Sequence, residues 1–215
     1  MFEFVGLYIL PLIIALAIHE FSHALAAELL GDPTARLKGR LTLNPIAHLD
    51  PFGSLFFLIT AVSSFVAGMP FVFGWGKPVP VDPYNLEHPK RDMGIVAAAG
   101  PGSNLVTALV IAIVIKLLWI FGVINPSDTL WMAFGSLISI SVGLAAFNVI
   151  PVHPLDGGKI LVALLPDKYA EMVNSFLYRY GTILLIFLIV TGATQYLIVP
   201  IATGFLAPIY MILNA

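Results

Sequence analysis

Residues Phe4 to Leu30 form an apolar run long enough, at 1.5 Å per helical residue, to cross about 30 Å of hydrocarbon. Inside it sits His19-Glu20-Phe21-Ser22-His23. On a helix, the two histidines of H-E-x-x-H project from one face about one turn apart and can share a metal ion, with the glutamate beside them. Ionisable groups at membrane depth are costly unless they are paired or metal-bound, so the pentapeptide reads as a functional site and not as part of a soluble core helix.

The rest of the chain agrees with a membrane setting. Apolar residues make up 59% and charged residues 10% of the 215 residues, and the mean hydropathy is +0.97. A soluble domain carries about a quarter charged residues, so a sizeable soluble domain is excluded. A net charge of -2 without a basic tract argues against nucleic acid as a partner. There is no cysteine, so a metal would be held by histidine and carboxylate. The N-terminus, Met1-Phe2-Glu3, lacks a basic leader, and the first apolar run is expected to be a retained span.

Further spans are expected at Gly94 to Val123 and Leu130 to Ile150, with a closing pair at Phe176 to Ala193 and Tyr196 to Leu213. Residues 35–43 alternate Leu37, Leu41 and Leu43 with Lys38, Arg40 and Thr42, a period of two that predicts a short strand at the membrane surface. Lys77-Pro78-Val79-Pro80-Val81 could form an edge strand but not a central one. If Phe52 to Met69 enters the bilayer and returns, nine of the ten basic residues lie on one side. The tenth, Lys116, then reaches the far interface. The positive-inside rule favours that arrangement, with the N-terminus outside and the basic loops in the cytoplasm. The fold expected is an all-α polytopic membrane protein in one domain, residues 1–215. It has about five transmembrane helices, a re-entrant segment and a short membrane-surface β-strand region.

A hydrolytic zinc needs a third ligand and an open position. Glu28 lies five residues beyond His23, on another face, and reads as an interfacial glutamate. Asp50, Asp82, Glu87 and Asp92 read as solvated loop charges. Asp156 follows a break made by Pro151 and Pro154 and precedes Gly157-Gly158, a setting that can turn a carboxylate toward a neighbouring helix. The re-entrant arrangement places Asp156 and His23 toward the same membrane face.

His19-Glu20-x-x-His23 together with Asn148-x-x-Pro151-x-x-x-x-Asp156-Gly157 resembles the site-2 protease family of intramembrane zinc metalloproteases. Gly100-Pro101-Gly102-Ser103-Asn104 resembles it too, and the likeness covers about residues 8 to 165. It implies one Zn2+ per chain held by His19, His23 and Asp156, with Glu20 as general base toward the fourth-position water. It also implies that Asn148 binds the scissile carbonyl or steadies the oxyanion, and that transmembrane protein substrates are cut near the cytoplasmic side. The chain looks like a compact member, without a PDZ insertion or nucleotide-sensing domain, from a prokaryotic cell membrane.

His153 could gate the site, sense pH or act as a fourth ligand, and reads best as a polar residue lining the access path, in contact with substrate. Asn104 reads as interhelical packing glue. Trp119 and Trp131 read as interfacial anchors. A helical substrate would have to be unwound, and either 35–43 or Lys77 to Val81 could pair with it as an added strand. The rival function is a metal-ion transporter or metal-sensing membrane protein. It is disfavoured because the outer halves of the spans carry almost no ionisable groups and because transport has no use for Glu20.

Overall fold

A computed structural model describes residues 5–67 and 74–214. A π-helical turn, Val5–Ile9, runs into α1, Leu10–Leu29. One helical turn, α2, spans Thr34–Leu37, and α3 spans Pro51–Ala67. Then come α4, Pro89–Ile120, and α5, Thr129–Asn148. The chain closes with α6, Asp156–Leu164, α7, Asp167–Val190, and α8, Ala193–Asn214. Five of these helices are long and apolar enough to cross a membrane: α1 with its leading turn, α4, α5, α7 and α8. The protein is an integral membrane protein by that measure.

The longest helix, α4, is the hub and packs against α1, α5, α6 and α8. Its buried Gly100, Asn104, Ala108 and Ala112 recur every four residues. On α1, Ala15, His19, His23 and Ala27 do the same. Small side chains along both seams let the backbones approach, which is how helices associate where lipid removes the hydrophobic drive between them. The two histidines therefore occupy core positions of a helix–helix seam.

Two apolar clusters lie within the bundle. One holds Ala108, Ile115, Ile138 and Ile209, with Trp131 and Leu213 against it. The other holds Ile150, Val152, Leu155 and Leu185, with Leu188 and Ile198 against it. Two apolar helices close the chain as expected, α7 beginning at Asp167 and not at Phe176. Asp167 at the start of α7 pairs with Lys90 at the start of α4, and Leu185 and Ile198 sit in the second cluster. Ile209 then sits in the first, and Lys116 Nζ donates to the Leu213 carbonyl at 3.2 Å. Together α7 and α8 carry the chain once from the Lys90 end to the Trp119 end. Tyr8, Trp119, Trp131 and Tyr210 line one cavity there, so the turn leading into α1 and the last turns of α8 meet at that end of the bundle.

The expected strand at 35–43 is absent. Asp32 Oδ1 accepts from the Thr34 amide at 3.0 Å and from its hydroxyl, Pro33 fixes φ, and α2 forms. Gly39, at φ 66, then ends the turn. Local side-chain to backbone bonding outcompetes the alternating pattern. Lys77 to Val81 forms no strand among the described residues; the contact beside it is an isolated antiparallel bridge, Leu49 with Gly76.

Two buried polar side chains, Asp32 and Arg40, and the backbone carbonyl of buried His48 hold the 74–85 segment in place. Asp32 also accepts from the Asp82 amide at 2.8 Å and from Asn85 Nδ2 at 2.8 Å. Arg40 donates to the carbonyls of Lys77 and Pro78. His48 Nε2 donates to the Thr42 carbonyl at 2.7 Å, while the His48 carbonyl accepts from the Lys77 amide at 2.8 Å. A Cβ on Gly53 would strike the Trp75 carbonyl, and one on Gly74 would strike Phe57. The chain at 49–57 and the chain at 74–76 thus lie side by side. The last two residues of the expected re-entrant segment, 68 and 69, lie outside the described residues.

Candidate metal centre

His19 and His23 are 3% and 7% exposed, and one turn of α1 brings their rings edge to face, 4.6 Å apart. Their Nε2 atoms are 3.0 Å apart. Asp156 Oδ2 lies 3.1 Å from the first and 3.2 Å from the second. The donor atoms form a nearly equilateral triangle. A tetrahedral zinc with ligands at about 2.0–2.1 Å sets its donors about 3.3 Å apart. The donor set therefore fits zinc: two imidazoles and a carboxylate, with a fourth direction left over.

Asp156 reaches this point because the chain breaks after α5. Val149 to Leu155 turn at Pro151 and Pro154, and Asp156 is the first residue of α6. A Cβ on Gly157 would lie 2.5 Å from the Ile150 carbonyl carbon, so only glycine lets α6 start tucked under the end of α5. Burial by itself would raise the Asp156 carboxyl. The hydrogen bonds from His19 and His23 outweigh it and hold the group well below the usual carboxylate range.

The outward nitrogens of both histidines face α4. His23 Nδ1 bonds the Val96 carbonyl at 2.7 Å, and His19 Nδ1 lies 3.3 Å from the Asn104 carboxamide nitrogen. Gly100 sits between these partners. A Cβ there would come within 2.5 Å of His23 Cε1 and 2.7 Å of His19 Cε1. Val96, Gly100 and Asn104 fall at i, i+4 and i+8, one stripe of α4 that backs the imidazoles. Sequence reasoning missed these contacts. The available signal was a buried amide in the glycine-rich run of the same span.

The other expected residues are placed as follows. Glu20 follows His19 on α1 and is half-buried. Asn148 closes α5, and its Nδ2 donates to the Leu144 carbonyl of its own helix at 2.9 Å. His153 is half-buried, its ring 5.6 Å from that of Tyr178, and it lines a cavity of about 570 Å³ with Lys90, Lys159, Glu171 and Asn174. Desolvation and the nearby Lys159 charge lower its pKa. Glu28 accepts from Arg36 Nε at 2.8 Å and belongs to a surface pair. Asp50 caps the start of α3 through the Gly53 amide, Asp82 caps a 3-10 turn through the Tyr84 amide, and Asp92 bonds the His88 amide. Among the described residues, the His19, His23 and Asp156 group is the metal-compatible cluster.

Comparison with known proteins shows the family. The profile described as Peptidase family M50 matches residues 123–188. The "Putative zinc metalloprotease YwhC" of Bacillus subtilis is 36% identical over 196 residues, covering 89% of this chain and 84% of its own. The "Putative zinc metalloprotease Rip2" of Mycolicibacterium smegmatis is 27% identical over 196 residues, covering 89% of this chain and 70% of its own. No solved structure matches the chain. With that identity across most of both sequences, the chain belongs to peptidase family M50, the site-2 protease family of zinc metalloproteases.

Proposed function

We propose that this protein hydrolyses peptide bonds within or near transmembrane helices of membrane-protein substrates, at one zinc site formed by His19, His23 and Asp156. The observation that carries the reading is the 3.0–3.2 Å donor triangle assembled from two helices inside an apolar bundle. Zinc bound there supplies Lewis acidity and a water that ionises near neutral pH. Glu20 is the base: its carboxylate takes a proton on the hydrolytic side and returns it to the departing amine. Asn148, released from Leu144, donates to the scissile carbonyl oxygen and holds it as charge develops. His153 lines the cavity on the far side of the Pro151–Pro154 break and meets substrate there, not as a fourth ligand.

A substrate helix hides its amides and must be extended before it is cut. Lys77 to Val81 is the segment suited to pairing with it. Pro78 and Pro80 lack N–H groups and Arg40 caps the carbonyls of Lys77 and Pro78, so Val79 and Val81 present the pairing edge. The segment at 35–43 drops out of this role because it is taken up by the helical turn α2 and the turn at Gly39. Arg36, Arg40, Lys77, Lys90 and Lys159 lie with the 74–85 segment or the site, and Lys116 stacks on Trp119 at the other end, 4.5 Å from the ring. By the positive-inside rule the zinc site is toward the cytoplasm of a prokaryotic cell membrane, and α3 re-enters the bilayer from that side.

A transporter would need a polar path onward from the site. The end of the bundle beyond it is the apolar cluster of Ala108, Ile115, Ile138 and Ile209, which speaks for hydrolysis. The test is cleavage of single-span model substrates by purified protein in detergent. Activity that a chelator abolishes and zinc restores supports the reading; activity indifferent to chelator overturns it.

A further inference from the structure

We infer that Asn104 is a positioning residue for the metal centre: its carboxamide oxygen accepts the Nδ1 proton of His19 and so frees Nε2 for zinc. The inference rests on the zinc reading of the site. It begins from an asymmetry between the two histidines. A ligating imidazole must present a bare Nε2, so its proton sits on Nδ1 and needs an acceptor. For His23 that acceptor is the Val96 carbonyl, at 2.7 Å. For His19 the facing group is Asn104, whose Nδ2 lies 3.3 Å from Nδ1.

Asn104 is fully buried, and its Oδ1 has no hydrogen-bond partner among the described residues. No competing bond on that oxygen opposes a half turn about Cβ–Cγ, which exchanges the two arms of a carboxamide of nearly equal shape. With Nδ2 forward, the ring carries its proton on Nε2 and bonds Asp156, 3.1 Å away. With Oδ1 forward, the proton sits on Nδ1 and Nε2 is bare. One side chain thus serves both the metal-free and the loaded centre, as a backbone carbonyl cannot.

A buried asparagine that only glues helices would have no reason to meet a ligand's second nitrogen. Partners of this kind are worth about 10–100-fold in metal affinity. The test is zinc affinity by chelator competition in detergent for wild type, Asn104→Leu, Asn104→Ala and Asn104→Asp, with melting of the zinc-free proteins alongside. Expected is a 10–100-fold loss for Asn104→Leu and Asn104→Ala, with Asn104→Asp within threefold of wild type because a carboxylate still accepts. Wild-type affinity in Asn104→Leu and Asn104→Ala, or an Asn104→Asp as weak as they are, overturns the inference while leaving the metal centre standing. If Asp156→Ala also binds zinc as wild type does, the metal reading itself fails and takes this one with it.

Discussion

Gly100→Ala separates the metal centre from the stability of the bundle. The added methyl would sit 2.5 Å from His23 Cε1 and 2.7 Å from His19 Cε1, with His23 Nε2 closer still. Carbon contacts settle near 3.5 Å, so each ring must retreat by about 1 Å. Ligand distances at a zinc site tolerate about 0.2 Å, so a displacement of this size opens the donor triangle. Zinc affinity should fall by about a hundredfold or more, by analogy with misplaced catalytic geometry. Stability moves far less. Overpacking costs about 1–3 kcal/mol, and alanine regains up to about 1 kcal/mol over glycine within a helix. Chelator competition reads the metal, and thermal unfolding without zinc reads the fold. Gly102 is the control, because a Cβ there meets nothing within 4 Å; Gly102→Ala should keep wild-type zinc binding. Wild-type zinc affinity in Gly100→Ala would refute the claim that α4 presses both imidazoles into a fixed triangle.

Three other outcomes follow from the contacts. Asp156→Ala should lose zinc and activity together, while Glu28→Ala keeps both, since Glu28 pairs with Arg36; metal analysis of the two variants decides. Asp32→Asn places an N–H against a ring of donors and should lower stability by about 2–4 kcal/mol, read from denaturant or thermal unfolding. Burial opposes ionisation of Asp32, but bonds from Thr34, Asn85 and the Asp82 amide hold its pKa below the free value. Its contribution is therefore complete above the unfolded carboxylate pKa and is lost as pH falls through the lower folded one, so wild type should lose stability in acid and Asp32→Asn should lose less. Single cysteines at Lys38, Lys77 and Lys168 should label with an impermeant thiol reagent from the cytoplasmic face, and one at Asn125 from outside; outside labelling at position 77 would mean that α3 crosses and would contradict the orientation.

The grouping of His19 and His23 in the candidate site was legible because its information is local. His19 and His23 sit one turn apart on a helix, and the same spacing that lets them share an ion also puts them in the α1 seam. Asp156 was legible because two prolines and two glycines leave a break few other structures need. The strand at 35–43 was misread because alternation reports side-chain pattern alone. Asp32, three residues before the pattern begins, commits the backbone to a turn. The direction of α7 and α8 was not legible either: apolar helices carry no mark of which way they run, and only contacts such as Lys116 with Leu213 supply it. Asn104 shows the remaining gap. Its type announced a hydrogen bond, but its partner, His19, lies in another helix 85 residues away.

The most direct test of the proposed activity is the position of the cut. A single-span substrate incubated with wild type in detergent, and with Glu20→Gln loaded with zinc to the same stoichiometry, is followed by mass spectrometry of the fragments. The account predicts one new pair of termini inside the substrate's span, toward its cytoplasmic end. They should be formed only by wild type and disappear with chelator. Cleavage confined to the substrate's extramembrane regions, or equal cleavage by Glu20→Gln, would contradict it.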